Sequence, residues 1–125
     1  MPGIQLIMQN SASPSGRYNE LLALMEGDRD LLLELIDVFF EDAPQRVEAV
    51  RRALADRDPE ALHRAAHALK GSAGNFGAPN VVGRANRIEA LARENYLDAA
   101  ALEFEFLETD MNQLVADLAA ARTLP

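Results

Sequence analysis

The sequence predicts an all-α fold: an antiparallel four-helix bundle with a short extra N-terminal helix. Three observations carry this expectation. Apolar residues make up 49% of the 125-residue chain but aromatics only 6%, so Ala and Leu, both strong helix formers, supply most of the core. Apolar residues recur at three- and four-residue spacing along most of the chain, which is the period of one helix face. No segment shows the strict alternation of a half-buried strand.

Each element follows from local signals. Residues 1–17 are expected to form a flexible N-terminal segment or linker, because "QNSASPSG" at 9–16 is built from small and polar residues. The bundle domain is expected over residues 18–122. It opens with a short helix, "YNELLALM", stopped by Gly27. A long amphipathic helix follows, N-capped by Asp28, with the stripe Leu32, Leu35, Ile36, Phe39, Ala43, Val47, Val50 and Leu54. Pro44 lies inside it and removes one backbone donor, so a kink is expected there. The next helix starts with Asp58 as N-cap and Pro59 at the first helical position, and carries Leu62, Ala66, Leu69, Ala73 and Phe76. Gly77 ends it. Pro79 starts a helix that turns Val82, Ala85, Ile88 and Leu91 inward. After a break at Asn95-Tyr96, the last helix runs from Leu97 to about Ala121 on Ala100, Phe104, Leu107, Met111, Leu114 and Leu118.

Composition removes several classes of function. A net charge of −8 leaves no basic footprint for nucleic acid. With no cysteine there is no thiol nucleophile, disulfide or Cys-based zinc site. No apolar run reaches the roughly 18 residues a membrane span needs. The N-terminus lacks the basic region of a signal peptide, and a cytoplasmic location is expected. No P-loop, dinucleotide-binding glycine pattern or nucleophile elbow is present, so no nucleotide or other cofactor is expected on this chain. The charge is uneven, however. Residues 63–93 hold five basic side chains, Arg64, Lys70, Arg84, Arg87 and Arg93, against one acidic residue, Glu89. A cationic segment on an acidic protein suits a small anionic ligand.

That segment contains "RAAHALKGSAGNFGA" at 64–78. At about 100° per residue, His67 falls roughly 140° from the core line of its helix and should stand on the surface. His63, Lys70, Gly71 and Gly74 share its flank. A glycine inside a helix costs about 1 kcal/mol relative to alanine, and two on one flank suggest clearance for something approaching the imidazole. Tight helix packing, or fraying near the helix end for Gly74, are the competing explanations. An exposed imidazole offers a nucleophilic nitrogen, and Lys70 one turn away can neutralise an incoming phosphoryl group. His63 and His67 are four apart and could bracket a metal, but Arg64 and Lys70 would repel a cation, and no metal is expected.

"AAHALKGSAGNFGA" resembles the signature of histidine phosphotransfer (HPt) domains, a histidine followed by x-Leu-Lys-Gly and then Gly-Ala. The flanking "LLLELIDVFFEDAPQRVEAVRRALADRDPEAL" and "RANRIEALAREN" look like the neighbouring helices of bacterial HPt domains, so the resemblance covers residues from about 20 to 120. It implies a phosphorelay intermediate and not an enzyme with a nucleotide site. His67 would take a phosphoryl group from a receiver-domain aspartyl phosphate and pass it to another receiver aspartate. Lys70 would hold the phosphoryl oxygens and Gly71 would give access, while Ser72, Gly77 and Ala78 would be structural. His63 is outside the motif. The partners implied are response-regulator receiver domains and a hybrid sensor histidine kinase, in cis or in trans, with the chain itself a monomer. Docking would use the flank of the third helix and the adjoining face of the second, where Leu33 and Phe40 either form an apolar rim or pack against the short first helix. The alternative is a helical docking module that regulates a receiver or kinase without carrying phosphate.

Overall fold

The computed structural model describes residues 14–124 and contains, among them, five helices and no strand. They are α1 (Pro14–Leu24), α2 (Arg29–Ala55), α3 (Pro59–Gly74), α4 (Pro79–Arg93) and α5 (Leu97–Thr123). The all-α expectation holds, with four substantial helices forming the bundle and α1 as the short extra one. Helix α1 begins at Pro14, inside the stretch read from sequence as linker. The rest of that N-terminal expectation, residues 1–13, lies outside the described residues.

Local chemistry accounts for the helix boundaries. Asp28 and Asp58 adopt extended backbone, and their side chains accept hydrogen bonds from the N–H groups of Leu31 at 3.0 Å and Ala61 at 3.1 Å. Each thereby satisfies one of the orphan donors of its helix. Pro59 and Pro79 stand in the first turns of α3 and α4, where a missing N–H is harmless. Helix α2 continues through Pro44 to Ala55 as one element. The α3–α4 turn takes two consecutive left-handed residues, Gly77 at φ 77° and Ala78 at φ 36°. Glycine enters that region without steric penalty, which is why it stands where the chain reverses.

Neighbouring helices pack in the order α2, α3, α4, α5, and the α2–α5 side is the least tightly closed. Every stripe residue expected on α3 and α5 is buried. On α2, Leu32, Ile36, Phe39, Ala43 and Val50 are buried, while Leu35, Val47 and Leu54 pack partly buried against them. Phe39 meets Phe76 edge-to-face at 5.3 Å, tying α2 to the end of α3. Helix α4 differs in detail: Val81 and Ala92 are buried in the stripe, and Val82 and Leu91 flank it half-buried. Tyr18, Leu21 and Met25 of the first helix and its following turn join the same core and close one end of the bundle.

Candidate functional site

The seam between α3 and α4 carries three polar rungs. The helices are antiparallel, so residues approach in pairs: His63 with Arg93, His67 with Glu89, and Lys70 with Asn86 and Glu89. All these residues lie outside the apolar stripes, on the flanks that α3 and α4 turn to the same side.

His67 is exposed as expected, with 67% of its side chain accessible. Its Nδ1 is 2.8 Å from Oε1 of Glu89. Glu89 is a buried carboxyl with a side chain only 10% accessible. Burial pushes its pKa up, but hydrogen bonds from Lys70 and His67, reinforced by their charges, outweigh that and hold it below the ordinary carboxylate value. An ionised carboxylate only accepts, so Nδ1 is the nitrogen that carries the proton and donates. In the neutral ring, Nε2 then holds the free lone pair. Sequence reasoning had placed an imidazole on the surface. The structure adds a partner that selects its tautomer.

Lys70 is less free than its surface position suggested. Its Nζ donates to Asn86 Oδ1 at 2.9 Å and to Glu89 Oε2 at 3.0 Å, and only 24% of its side chain is accessible. Glu89 therefore holds His67 with one oxygen and Lys70 with the other. This fixes the ammonium about one helical turn from the imidazole.

Gly71 and Gly74 answer differently to the question their positions raised: Gly71 lies inside α3, whereas Gly74 is its last residue, where the helix end itself accounts for a glycine. A Cβ built at either would meet no atom within 4 Å. Neither is a contact point for another helix, so tight packing does not explain them. Both leave open space on the His67 flank, and both are exposed. Gly77 is a different case, a left-handed turn residue whose added Cβ would lie 3.7 Å from Leu24.

The adjoining face of α2 is not the one expected. Phe40 packs partly against the core and lines the groove between α2 and α5 with Pro44, Val47 and Met111, on the far side from α3. Leu33 is half-buried. The α2 surface that borders α3 presents Asp42, Gln45, Arg46 and Ala49, facing Ala65 and Ala68 beside His67. Small side chains on α3 and polar ones on α2 make this flank shallow and wettable.

His63 lies one turn before His67, with parallel rings whose centroids are 6.5 Å apart. Its Nε2 accepts from Arg93 Nη2 at 3.0 Å. A guanidinium at that nitrogen occupies the place a metal ion would take. Among the described residues no group of three or more His, Asp or Glu side chains converges as a metal site would require. None of the described helices is long and apolar enough to cross a membrane.

Glu89 and Asn86 are the two site residues that sequence reasoning missed. One signal existed: Glu89 is the single acid in the cationic stretch 63–93. What hid it was the cross-helix register, which no one-dimensional period reveals.

A family model described as Hpt domain matches residues 34–121, more than half of the chain. No curated protein and no solved structure matches the chain significantly.

Proposed function

The chain belongs to the Hpt domain family, whose members carry out histidine-containing phosphotransfer in two-component systems, and on that premise we propose that it is a phosphorelay intermediate phosphorylated on His67. The observation that carries this reading is the state of the imidazole. One nitrogen is held by a buried carboxylate and the other faces solvent beside two glycines.

The chemistry follows from that arrangement. Nε2 of His67 attacks the phosphorus of an aspartyl phosphate on a receiver domain. The Nε2–P bond forms as the P–O bond to the aspartate breaks, and the aspartate leaves as a carboxylate. Positive charge develops on the imidazole in this step, and the Glu89 carboxylate across Nδ1–H offsets it. Lys70, held by Glu89 and Asn86, presents its ammonium to the phosphoryl oxygens as a point charge. Gly71 leaves room for the acidic site of the receiver to close on the group. In the second half-reaction an aspartate of another receiver attacks the phosphorus, the N–P bond breaks, and the neutral ring returns. The donor and acceptor are receiver domains, and a hybrid sensor kinase, in cis or in trans, is one source of such a domain.

A docking module that carries no phosphate is the competing reading. It makes no use of a tautomer-locked imidazole with its free nitrogen outward. The two are separated by incubating the chain with a phosphorylated receiver. Label should move to the chain, be acid-labile, and be lost in His67→Gln but kept in His63→Gln. Stable receiver binding without label transfer would favour docking alone, and label retained in His67→Gln would refute the site.

A further inference from the structure

We infer that Arg93, parked on His63 in the unphosphorylated chain, is a second cation, beside Lys70, that meets the phosphoryl group on His67. This rests on the phosphotransfer reading of His67 and adds a residue to it.

The starting point is the balance of charge around the imidazole. A phosphoryl group brings roughly two negative charges at neutral pH. Lys70, the cation nearest to His67 in the motif, is already paired with Glu89 at 3.0 Å. Those two charges cancel, and Glu89 cannot leave without unlocking His67, whose Nδ1 it holds at 2.8 Å. Compensation for the added dianion must therefore come partly from elsewhere.

Two exposed cations near His67 make no ion pair among the described residues. Arg64 is three residues before it on α3, and Arg93 is on α4 one turn beyond Glu89. The other arginines of the cationic segment are committed: Arg84 to Asp110 and Glu103, and Arg87 to Glu103. Arg93 is the better placed of the two free ones because its position is defined. Its guanidinium donates to the neutral ring nitrogen of His63 at 3.0 Å, and the His63 ring is parallel to that of His67 with centroids 6.5 Å apart. A phosphoryl oxygen is a far stronger acceptor than an imidazole nitrogen. Moving about one helical turn along the seam exchanges the weak partner for the strong one. The groove on that side is lined by Pro59, His63, Arg64 and Arg93, and its one carboxylate, Glu60, lies about two turns from His67. In this arrangement His63 is a positioning residue: it keeps the guanidinium extended along the seam and off the nucleophile until the charge arrives.

The test is a thermodynamic cycle with the phosphoryl group as one of its two changes. The full chain is labelled with potassium phosphoramidate, which needs no receiver, and the product is identified by phosphorus NMR. Urea unfolding at 25 °C then compares labelled and unlabelled forms of wild type, Arg93→Ala and Arg93→Lys. The unlabelled arm absorbs any purely structural effect of the substitution. The expected result is a coupling of about tenfold in the unfolding constant, present in wild type, absent in Arg93→Ala and partly restored in Arg93→Lys. Equal loss of stability on Arg93→Ala in labelled and unlabelled chains would overturn the role of Arg93 and leave phosphotransfer standing. Label that persists in His67→Gln would sink both.

Discussion

A single buried carboxylate organises the site. Glu89 touches both the imidazole and the ammonium, and its burial makes both contacts strong. Replacing it with Gln removes the charge that selects the Nδ1–H tautomer and that, in the proposed transfer, offsets the ring charge. Glu89→Gln should therefore slow phosphotransfer from a receiver by about 10- to 100-fold while leaving His67 in place, as read from initial rates of label transfer. The same residue predicts a pH dependence of stability. Its folded-state pKa lies below the ordinary value near 4.5, so its contribution is present above that value and is lost as pH falls through the lowered one. The stability difference between wild type and Glu89→Gln should thus be open near neutrality and shrink below about pH 4.5, checked by urea midpoints across an acidic series. None of this was legible in the sequence beyond the presence of one acid among five bases. His67, Lys70 and Gly71 were legible because they share one helix and obey its period. Glu89 and Asn86 were not, because they join the site through the packing of a second helix.

At the scale of the element, α3 divides its labour between faces. Leu62, Ala66, Leu69 and Ala73 are buried on one side, and the opposite flank gives up helix propensity at Gly71 and Gly74. Since nothing lies within 4 Å of a Cβ added at Gly71, Gly71→Ala should stabilise the chain by about 1 kcal/mol, measured by denaturant unfolding. Gly71→Leu should keep the helical circular dichroism and, on the proposed function, slow transfer by about tenfold or more, because the side chain fills the open space beside His67. Unchanged rates in Gly71→Leu would remove the clearance argument. The stripes of α3 and α5 could be read residue by residue because large apolar side chains mark them without ambiguity. On α4 they could not. Two adjacent valines compete for the same turn, and small Ala92 is buried where the larger Leu91 was expected. Phe40 misled for a related reason: its angle from the core line was right, but the angle alone does not say which neighbour stands on that side.

The whole molecule separates the polar seam from the parts that hold the bundle closed. The rungs lie along α3 and α4, while α1 covers one end through Tyr18, Leu21 and Met25, and Arg17 reaches Asp117 of α5 at 3.3 Å. Loss of packing at that end should lower stability without reaching the imidazole. Leu21 is 2% exposed, so Leu21→Ala should cost about 2–4 kcal/mol in unfolding free energy yet leave the transfer rate per folded molecule unchanged. A fall in that rate would show that α1 and the seam are mechanically coupled.

The turn that joins α3 to α4 does more than reverse the chain. Three of the four cross-seam contacts, His63 with Arg93, His67 with Glu89 and Lys70 with Asn86, are centred in sequence on Ala78, and the fourth, Lys70 with Glu89, is centred between Pro79 and Asn80. The number of residues in the turn therefore works as a ruler. One residue more would bring Ile88 to the place of Glu89, and one fewer would bring Ala90, each leaving the imidazole opposite an apolar side chain. The pairing of the histidine with its carboxylate is thus written into the length of a loop that touches neither of them.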